Sequence, residues 1–315
     1  MAAITGIEWT DHTWSPWIGC TRISAACDHC YAADYGRRFG VAFETGAPRR
    51  RTSAEYWKQP ARWNRQAAAA GRIATVFPSL CDPFDSEVDP AWLGETLALF
   101  EPLTALRLLL LTKRPHLAAK YFDGRTPPAN VALGVTGEDQ KMADLRIPIL
   151  LSIPAKVRFL SCEPLLTRVS IMEYLYRDLD VTGRFRTHHG TRQMEFKHKG
   201  LLGALHWIIA GGESGPKARP SHPDWFRALR DQCAAASVPF FFKQWGAWID
   251  VFDCDKDDPG GRIADDVVRR TPKGQWLNLA GGQGFHGSRV VRVERRPKAL
   301  VAALDGREHR EVPAW

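Results

Sequence analysis

Apolar residues fall in short, nearly unbroken runs along much of the chain: ATVFPSL (74 to 80), LRLLLLT (106 to 112), NVALGVT (130 to 136), VRFLSCE (157 to 163), LHWIIAGGE (205 to 213) and PFFFKQWG (239 to 246). Runs of this length without strict polar alternation predict strands covered on both faces. Between them lie stretches with helical spacing, notably DPAWLGETLALFEPL (89 to 103) and HPDWFRALRDQCAAAS (222 to 237). Asp89 predicts an N-cap with Pro90 in the first turn, and Ser221 predicts the same ahead of HPDW. Strands and helices alternating in this way predict an α/β protein with a parallel sheet and crossover helices.

The polar punctuation is ordered. Each run ends in residues able to do chemistry: Asp82, then TKRP (Thr112 to Pro115), Thr136 with Glu138, SCEP (Ser161 to Pro164), GGES (Gly211 to Ser214) and KQWG (Lys243 to Gly246). Barrels and open α/β sheets collect their active sites at the carboxyl ends of parallel strands. TWSPWIG, ahead of a cysteine-rich loop, adds a first strand to the series, so the polar residues are expected on one rim.

Two segments break the rhythm. Residues 170 to 204 form a long basic connection in which Arg177, Arg184, Arg186, Arg192, Lys197 and Lys199 outnumber Asp178, Asp180 and Glu195. It reads either as an insertion that covers or contacts a substrate, or as a solvated surface excursion. Beyond residue 249 the chain is rich in Gly, Asp and Arg, with SRVVRVERR as a strand. Residues 1–249 are therefore expected to form the main unit and 250–315 a C-terminal accessory segment.

Composition narrows the classes. With 44% hydrophobic and 25% charged residues over 315 positions, the chain is an ordinary globular protein. The opening MAAITGIEWTDHTW lacks a basic segment followed by an apolar run, and Leu108 to Leu111 and Trp207 to Ala210 are too short to cross a bilayer. A cytoplasmic protein with no membrane partner is expected, and its odd count of seven cysteines argues against a disulfide framework. A net charge of +8 favours an anionic partner, nucleic acid being the usual one, or serves solubility alone.

Three of the cysteines crowd into GCTRISAACDHCYA, at Cys20, Cys27 and Cys30. Reduced thiols at this spacing are candidate metal ligands, with unmetallated thiols as the plain alternative. With His29 or His12 as a fourth donor they make a tetrahedral zinc site. Alone, they hold three irons of a [4Fe-4S] cluster and leave the fourth open. There the amino and carboxylate groups of S-adenosylmethionine chelate, and electron transfer to the sulfonium yields a 5′-deoxyadenosyl radical. The CxxxxxxCxxC spacing differs from the commoner CxxxCxxC of such loops, and the residue types leave both metals open. His29 stands where many cluster loops put a ring on the adenine, and Trp9, Trp14 and Trp17 are expected to shield the loop. Of the dispersed Cys81, Cys162, Cys233 and Cys254, the first two adjoin strand ends, as hydrogen-atom donors, auxiliary ligands or plain buried thiols.

The stretches GIEWTDHTWSPWIGCTRISAACDHCYA, GVTGEDQKMADLRIPILLSIPAKVRFLSCEPLL and HWIIAGGESGPKARPSHPDWFRALRDQCAAASVPFFFKQWGAW, with LDGREHREVP near the end, resemble the phage Gp37/Gp68 family, also known as DUF5131. The resemblance spans nearly the whole chain. It implies a three-cysteine, radical-SAM-like protein on a partial TIM-like (β/α)6-7 barrel, often encoded near a partner protein named for the three-Cys motif. By position it implies Cys20, Cys27 and Cys30 as cluster ligands. Cofactor contacts are expected from His29, Asp82, Thr136, Gly211, Gly212 and Ser214, with Asp82 on the amino group of S-adenosylmethionine and GGES comparable to the GGE motif of radical-SAM enzymes. Glu163, Glu213 and Lys243 are the candidate catalytic groups, Glu163 having Lys113 or Arg114, and Lys243 having Glu163, Glu213 or a substrate phosphate, as prospective partners.

The expected function is a radical-SAM-type enzyme, fed by an electron donor, acting on a substrate such as a nucleobase or nucleotide. A zinc-stabilised nucleic-acid-binding protein and a phage interaction protein without catalysis are the rivals.

Overall fold

The computed structural model describes residues 5–175, 183–187, 190–194, 204–253, 264–282, 290–295 and 302–315. Seven parallel strands stand side by side in chain order: β1 (His12–Thr13), β2 (Ala74–Phe77), β3 (Leu106–Thr112), β4 (Val131–Thr136), β5 (Val157–Cys162), β6 (Trp207–Gly211) and β7 (Phe240–Gln244). Consecutive parallel neighbours require a crossover after each strand. Helices α1 (Tyr31–Arg37), α2 (Ala54–Trp57) and α3 (Gln59–Ala69) cross from β1 to β2. Single helices α4 (Pro90–Phe100), α5 (Pro115–Tyr121), α6 (Gln140–Leu151) and α7 (Pro223–Ala235) make the crossings to β3, β4, β5 and β7. This is the winding of a (β/α) barrel, left partial because β1 and β7 are edge strands with no mutual pairing among the described residues.

The strand period of two explains the unbroken apolar runs. Leu108, Leu110, Leu160, Ile208, Phe240 and Phe242 face the helices in the larger core cluster. Their neighbours Leu109, Phe159, Trp207, Ile209 and Phe241 face inward and pack with Trp9 and Phe77 into a second cluster. Trp9 meets Phe77 at 4.4 Å between ring centres, and Trp207 meets Trp315 at 6.2 Å. These rings fill the lower barrel, so the space above them is a cup and not a pore.

Local capping follows the sequence in part. Asp89 caps α4, accepting from the Ala91 amide at 2.9 Å, with Pro90 next. At α7 the cap is His222, whose ring nitrogen accepts from Asp224 N at 3.2 Å, while Ser221 Oγ donates to the Leu165 carbonyl at 2.6 Å. Ser221 thus ties the helix entry to the β5 loop and does not cap it.

The two irregular segments are smaller than the sequence suggests. Ile171, Tyr174 and Leu175 are buried in the main core, so residues 171–175 belong to the body. Within the connection Gly183–Thr187 pairs antiparallel with Gly190–Met194. Arg177, Lys197 and Lys199, like Cys254, lie outside the described residues. At the C-terminal end β8 (Trp248–Asp253), β9 (Gln275–Asn278) and β10 (Val290–Arg295) form a separate antiparallel sheet in the order β8-β10-β9. Residues 302–315 then return to the barrel: Ala302 and Leu304 enter its core, and the His309 carbonyl accepts from Phe242 N at 3.0 Å. The last stretch is a brace on β7, not an appendage. No helix among the described residues is long and apolar enough to cross a membrane.

Candidate functional site

Cys20, Cys27, Cys30, His29, Asp82, Thr136, Glu163, Gly212, Glu213, Ser214 and Lys243 all line one open cavity of about 180 Å³ at the carboxyl ends of the strands. Of the cluster, cofactor and catalytic candidates named from the sequence, only Gly211 is absent from its wall. Ile7, Trp9, Phe77 and Leu111 form its apolar parts. An apolar cup with a few convergent polar groups is the usual form of a ligand site.

The cysteine loop is positioned by three arginines. Gly19 N donates to the Leu80 carbonyl at 3.0 Å and starts the loop beside the end of β2. Arg114 Nη2 donates to the Thr21 carbonyl at 2.7 Å, and Arg49 Nη2 to Thr21 Oγ1 at 2.5 Å. On the far side Arg219 Nη2 donates to the Ala25 carbonyl at 2.8 Å, and its Nη1 to Asp28 Oδ2 at 3.3 Å. Each arginine is held by carboxylates: Arg114 by Asp82 at 2.8 Å, Arg49 by Asp85 at 2.6 Å and Glu87 at 2.9 Å, and Arg219 by Glu213 at 2.6 Å. Arg49 and Asp85 escaped the sequence reading, because nothing in PRRRT separates the one buried arginine from its exposed neighbours Arg50 and Arg51.

This bracing occupies one expected ligand contact, Asp82, and one candidate catalytic group, Glu213. Asp82 Oδ1 accepts from Thr112 Oγ1 at 2.6 Å and Phe84 N at 3.0 Å, and Oδ2 from Arg114 Nη1 at 2.8 Å and Lys113 N at 3.1 Å. Four donors saturate a carboxylate, so Asp82 has no lone pair to offer the amino group of S-adenosylmethionine. Glu213 is engaged too: Oε2 accepts from Arg219 N at 2.7 Å and Nε at 2.8 Å and lies 3.1 Å from His29 Nδ1, while Oε1 takes Arg219 Nη2 at 2.6 Å. Burial alone would raise the Glu213 carboxyl, but the Arg219 and His29 contacts outweigh it and hold it below the usual range. The GGE glycine serves packing: a Cβ on Gly212 would sit 1.9 Å from the Trp245 carbonyl oxygen.

The remaining candidates keep free valence. Glu163 pairs with Lys243 across the rim, and not with Lys113 or Arg114; its second oxygen accepts from Trp9 Nε1 at 3.3 Å. Thr136 is 1% exposed and its hydroxyl has no hydrogen-bond partner among the described residues although it borders the cavity. Ser214 Oγ accepts from Gln244 Nε2 at 3.1 Å at the outer edge. Glu138 turns away from the cavity into a buried pair with Arg146 at 2.6 Å. Once Asp82 with Arg114, Glu163 with Lys243 and Glu213 with Arg219 cancel, Lys113 and Arg22 remain on the wall with no ion pair among the described residues. The cup is therefore positive.

Around the thiols, burial pushes Cys20 up to about 12, with Asp82 and Cys30 adding to the rise and Arg114 and Lys113 opposing it. Cys81, also on the cavity wall, is raised well above its ordinary value by burial first and by Asp82 and Cys20 next. Cys162 belongs to the outer core and not to the cavity. Trp14 and Trp17 are in the same outer core, which leaves Trp9 as the one tryptophan of that trio on the cavity wall. His12 stacks on Trp63 at 4.2 Å and is not on the cavity wall that carries the three thiols. Among the described residues no three His, Cys, Asp or Glu side chains gather as a cage for a single ion.

The fold and site together define an α/β half-barrel with a three-thiol loop on its carboxyl rim. The profile of a family described as a protein of unknown function, DUF5131, matches residues 4–313, and the chain belongs to that family. A search of curated proteins finds no match. Among solved structures the chain is similar to a spore photoproduct lyase mutant with bound AdoMet and dinucleoside spore photoproduct, at 12% identity and a TM-score of 0.42, covering 90% of this chain and 68% of that one.

Proposed function

We propose that the protein is a radical-SAM-type enzyme. The observation that carries the reading is that Cys20, Cys27 and Cys30 line the same cavity, on a loop fixed by Arg49, Arg114 and Arg219. A cluster takes each thiolate on a separate iron, and the three thiols on this one cavity wall are the residues that would hold it. Cys20, Cys27 and Cys30 would hold a [4Fe-4S] cluster whose chemistry, with S-adenosylmethionine bound, would be one-electron cleavage of a sulfonium C–S bond.

The chain's own residues supply the rest. Lys113 and Arg22 offer unneutralised charge to an anionic group of the ligands, and the buried Thr136 hydroxyl offers a donor and acceptor awaiting a partner. The apolar wall of Ile7, Trp9, Phe77 and Leu111 excludes water from the reacting centre. Glu163 and Lys243, paired at the rim and partly open to the cavity, are the groups placed to hold or move a substrate proton. The excess of positive charge supports a nucleobase or nucleotide as substrate.

Anaerobic reconstitution with iron and sulfide tests this. About four irons per chain, absorbance near 400 nm, and an EPR signal that shifts on adding S-adenosylmethionine are expected, all lost in Cys20→Ala. Stoichiometric zinc without iron, or cluster content unchanged in Cys20→Ala, would overturn it.

A further inference from the structure

Residues 31 to 72 carry nine lysines and arginines against three acids. Five of these cations are neutralised: Arg37 by Asp34, Arg49 by Asp85, Arg51 by Glu95, Lys58 by Glu55 and Arg72 by Asp11. Arg38, Arg50, Arg62 and Arg65 are exposed and make no ion pair among the described residues. Two of them are not loose. The Arg38 guanidinium lies 5.6 Å from the centre of the Tyr35 ring, and that of Arg50 lies 5.4 Å from the Phe39 ring. Tyr35 and Phe39 in turn meet at 5.1 Å. Arg50 Nη1 is further fixed by donating to the Phe39 carbonyl at 2.7 Å.

The ladder leads to the cavity. Tyr31 and Tyr35 are four residues apart on α1, hence on one helix face, and Phe39 continues the stripe just past its end. Tyr31 is 52% exposed, follows Cys30 directly, lines the cavity and is pinned by its hydroxyl donating to the Ser79 carbonyl at 3.2 Å. An aromatic lip and two unneutralised guanidinium groups held over rings thus form one stripe beside the mouth. Arginine planes already immobilised on rings lose little freedom when they meet a phosphate or a base. Alternating aromatic and cationic groups along a surface are what a flexible polyanion with flat bases requires.

We infer that this stripe, Tyr31, Tyr35, Arg38, Phe39 and Arg50, docks single-stranded nucleic acid and leads one of its residues to the cavity. This gives the site proposed above a polymeric substrate class, and depends on the radical-SAM reading only for the chemistry after docking.

The test is equilibrium binding of a short fluorescent single-stranded oligonucleotide to the full-length protein across a salt series. Wild type is expected to bind with strong salt dependence and to prefer the single strand over the duplex. The R38E/R50E variant should bind at least about tenfold more weakly, and the slope of log K against log salt should shrink by about 1.4, near 0.7 per lost phosphate contact. R38Q/R50Q should show a smaller loss of the same kind and guards against misfolding of the charge reversal. Arg125, stacked on Tyr121 at 5.5 Å just past the end of α5, provides the control, and R125E should bind as wild type. Unchanged thermal midpoint and iron content in R38E/R50E would separate this result from a failure of the cluster reading, which Cys20→Ala reports. Absence of salt-dependent binding, equal losses in R125E and R38E/R50E, or duplex bound as tightly as single strand would overturn the inference.

Discussion

Arg219 grips Glu213 with two guanidinium nitrogens, Nε to Oε2 at 2.8 Å and Nη2 to Oε1 at 2.6 Å, and the same Nη2 donates to the Ala25 carbonyl in the cysteine loop. Glu213 stands just after β6, so the pair fastens the loop to the sheet across nearly two hundred residues of sequence. A fork of fixed N–H vectors can serve a carboxylate and a carbonyl together, which a lysine cannot do.

Arg219→Ala should therefore cost about 1–3 kcal/mol, toward the low side because the arginine is partly exposed, by leaving the buried Glu213 carboxylate short of donors. The loop should loosen at its far anchor while Cys20, Cys27 and Cys30 remain. Limited proteolysis between Thr21 and Tyr31 should accelerate, and iron retained after reconstitution should fall. Arg219→Lys should recover only part of both. Wild-type protease resistance in Arg219→Ala would remove this anchor from the account.

The parallel strands and the polar rim were legible because parallel buried strands leave unbroken apolar runs with chemistry at their carboxyl ends, whereas the barrel order came from the family resemblance. That pattern places the rim and loop residues, with the reason each stands there still hidden. Whether Asp82 binds a ligand or holds Arg114 depends on Arg114, Thr112 and Phe84 meeting it in space, and no local pattern records that. The same holds for Arg49, one of three consecutive arginines, which is buried against Asp85 while its neighbours are exposed. The return of residues 302–315 to β7 was missed because short segments that brace an edge carry no periodicity of their own.

GGE reads in the sequence as a ligand-approach motif, yet in the fold its two glycines make opposite predictions. A methyl group on Gly212 would lie 1.9 Å from the Trp245 oxygen and 2.5 Å from its carbonyl carbon, so β6 and the turn after β7 must separate. On Gly211 the nearest atom would be Glu163 Cγ at 3.4 Å, an ordinary contact. Gly212→Ala should destabilise by about 1–3 kcal/mol or more, as overpacking does, and Gly211→Ala should fall well below that. Paired urea melts decide it, and equal losses in the two variants would refute the packing role.

Thr136 offers a cleaner probe of ligand binding than any charged group. Its hydroxyl is buried, borders the cavity and has no hydrogen-bond partner among the described residues. Thr136→Val keeps the shape and removes the unsatisfied group. Stability should stay level or rise by up to about 1–3 kcal/mol, while affinity for the cavity's ligand should fall. S-adenosylmethionine binding to the reconstituted protein, measured beside a thermal melt, reports both. A drop in stability with unchanged affinity would show that Thr136 is core and nothing more.

The C-terminal brace gives a pH signature remote from the cavity. Asp305 accepts from Arg227 Nε at 2.9 Å and Arg230 Nη1 at 2.6 Å, both on α7. Burial alone would raise its carboxyl, but the hydrogen bonds from Arg230 and Arg227 outweigh it and hold the group below the usual 3.8. A depressed carboxylate stabilises the fold above its unfolded value, and that contribution is lost as pH falls through the folded one. Asp305→Asn retains a residue type that tolerates the positive φ of 54 here but removes the charge. Wild type should thus exceed the variant in stability at neutral pH, and the gap should close as pH drops below 3.8. Urea midpoints of both proteins at about pH 7 and about pH 3 test the sign. A gap that persists undiminished in acid would mean that the Asp305 charge contributes nothing to the brace.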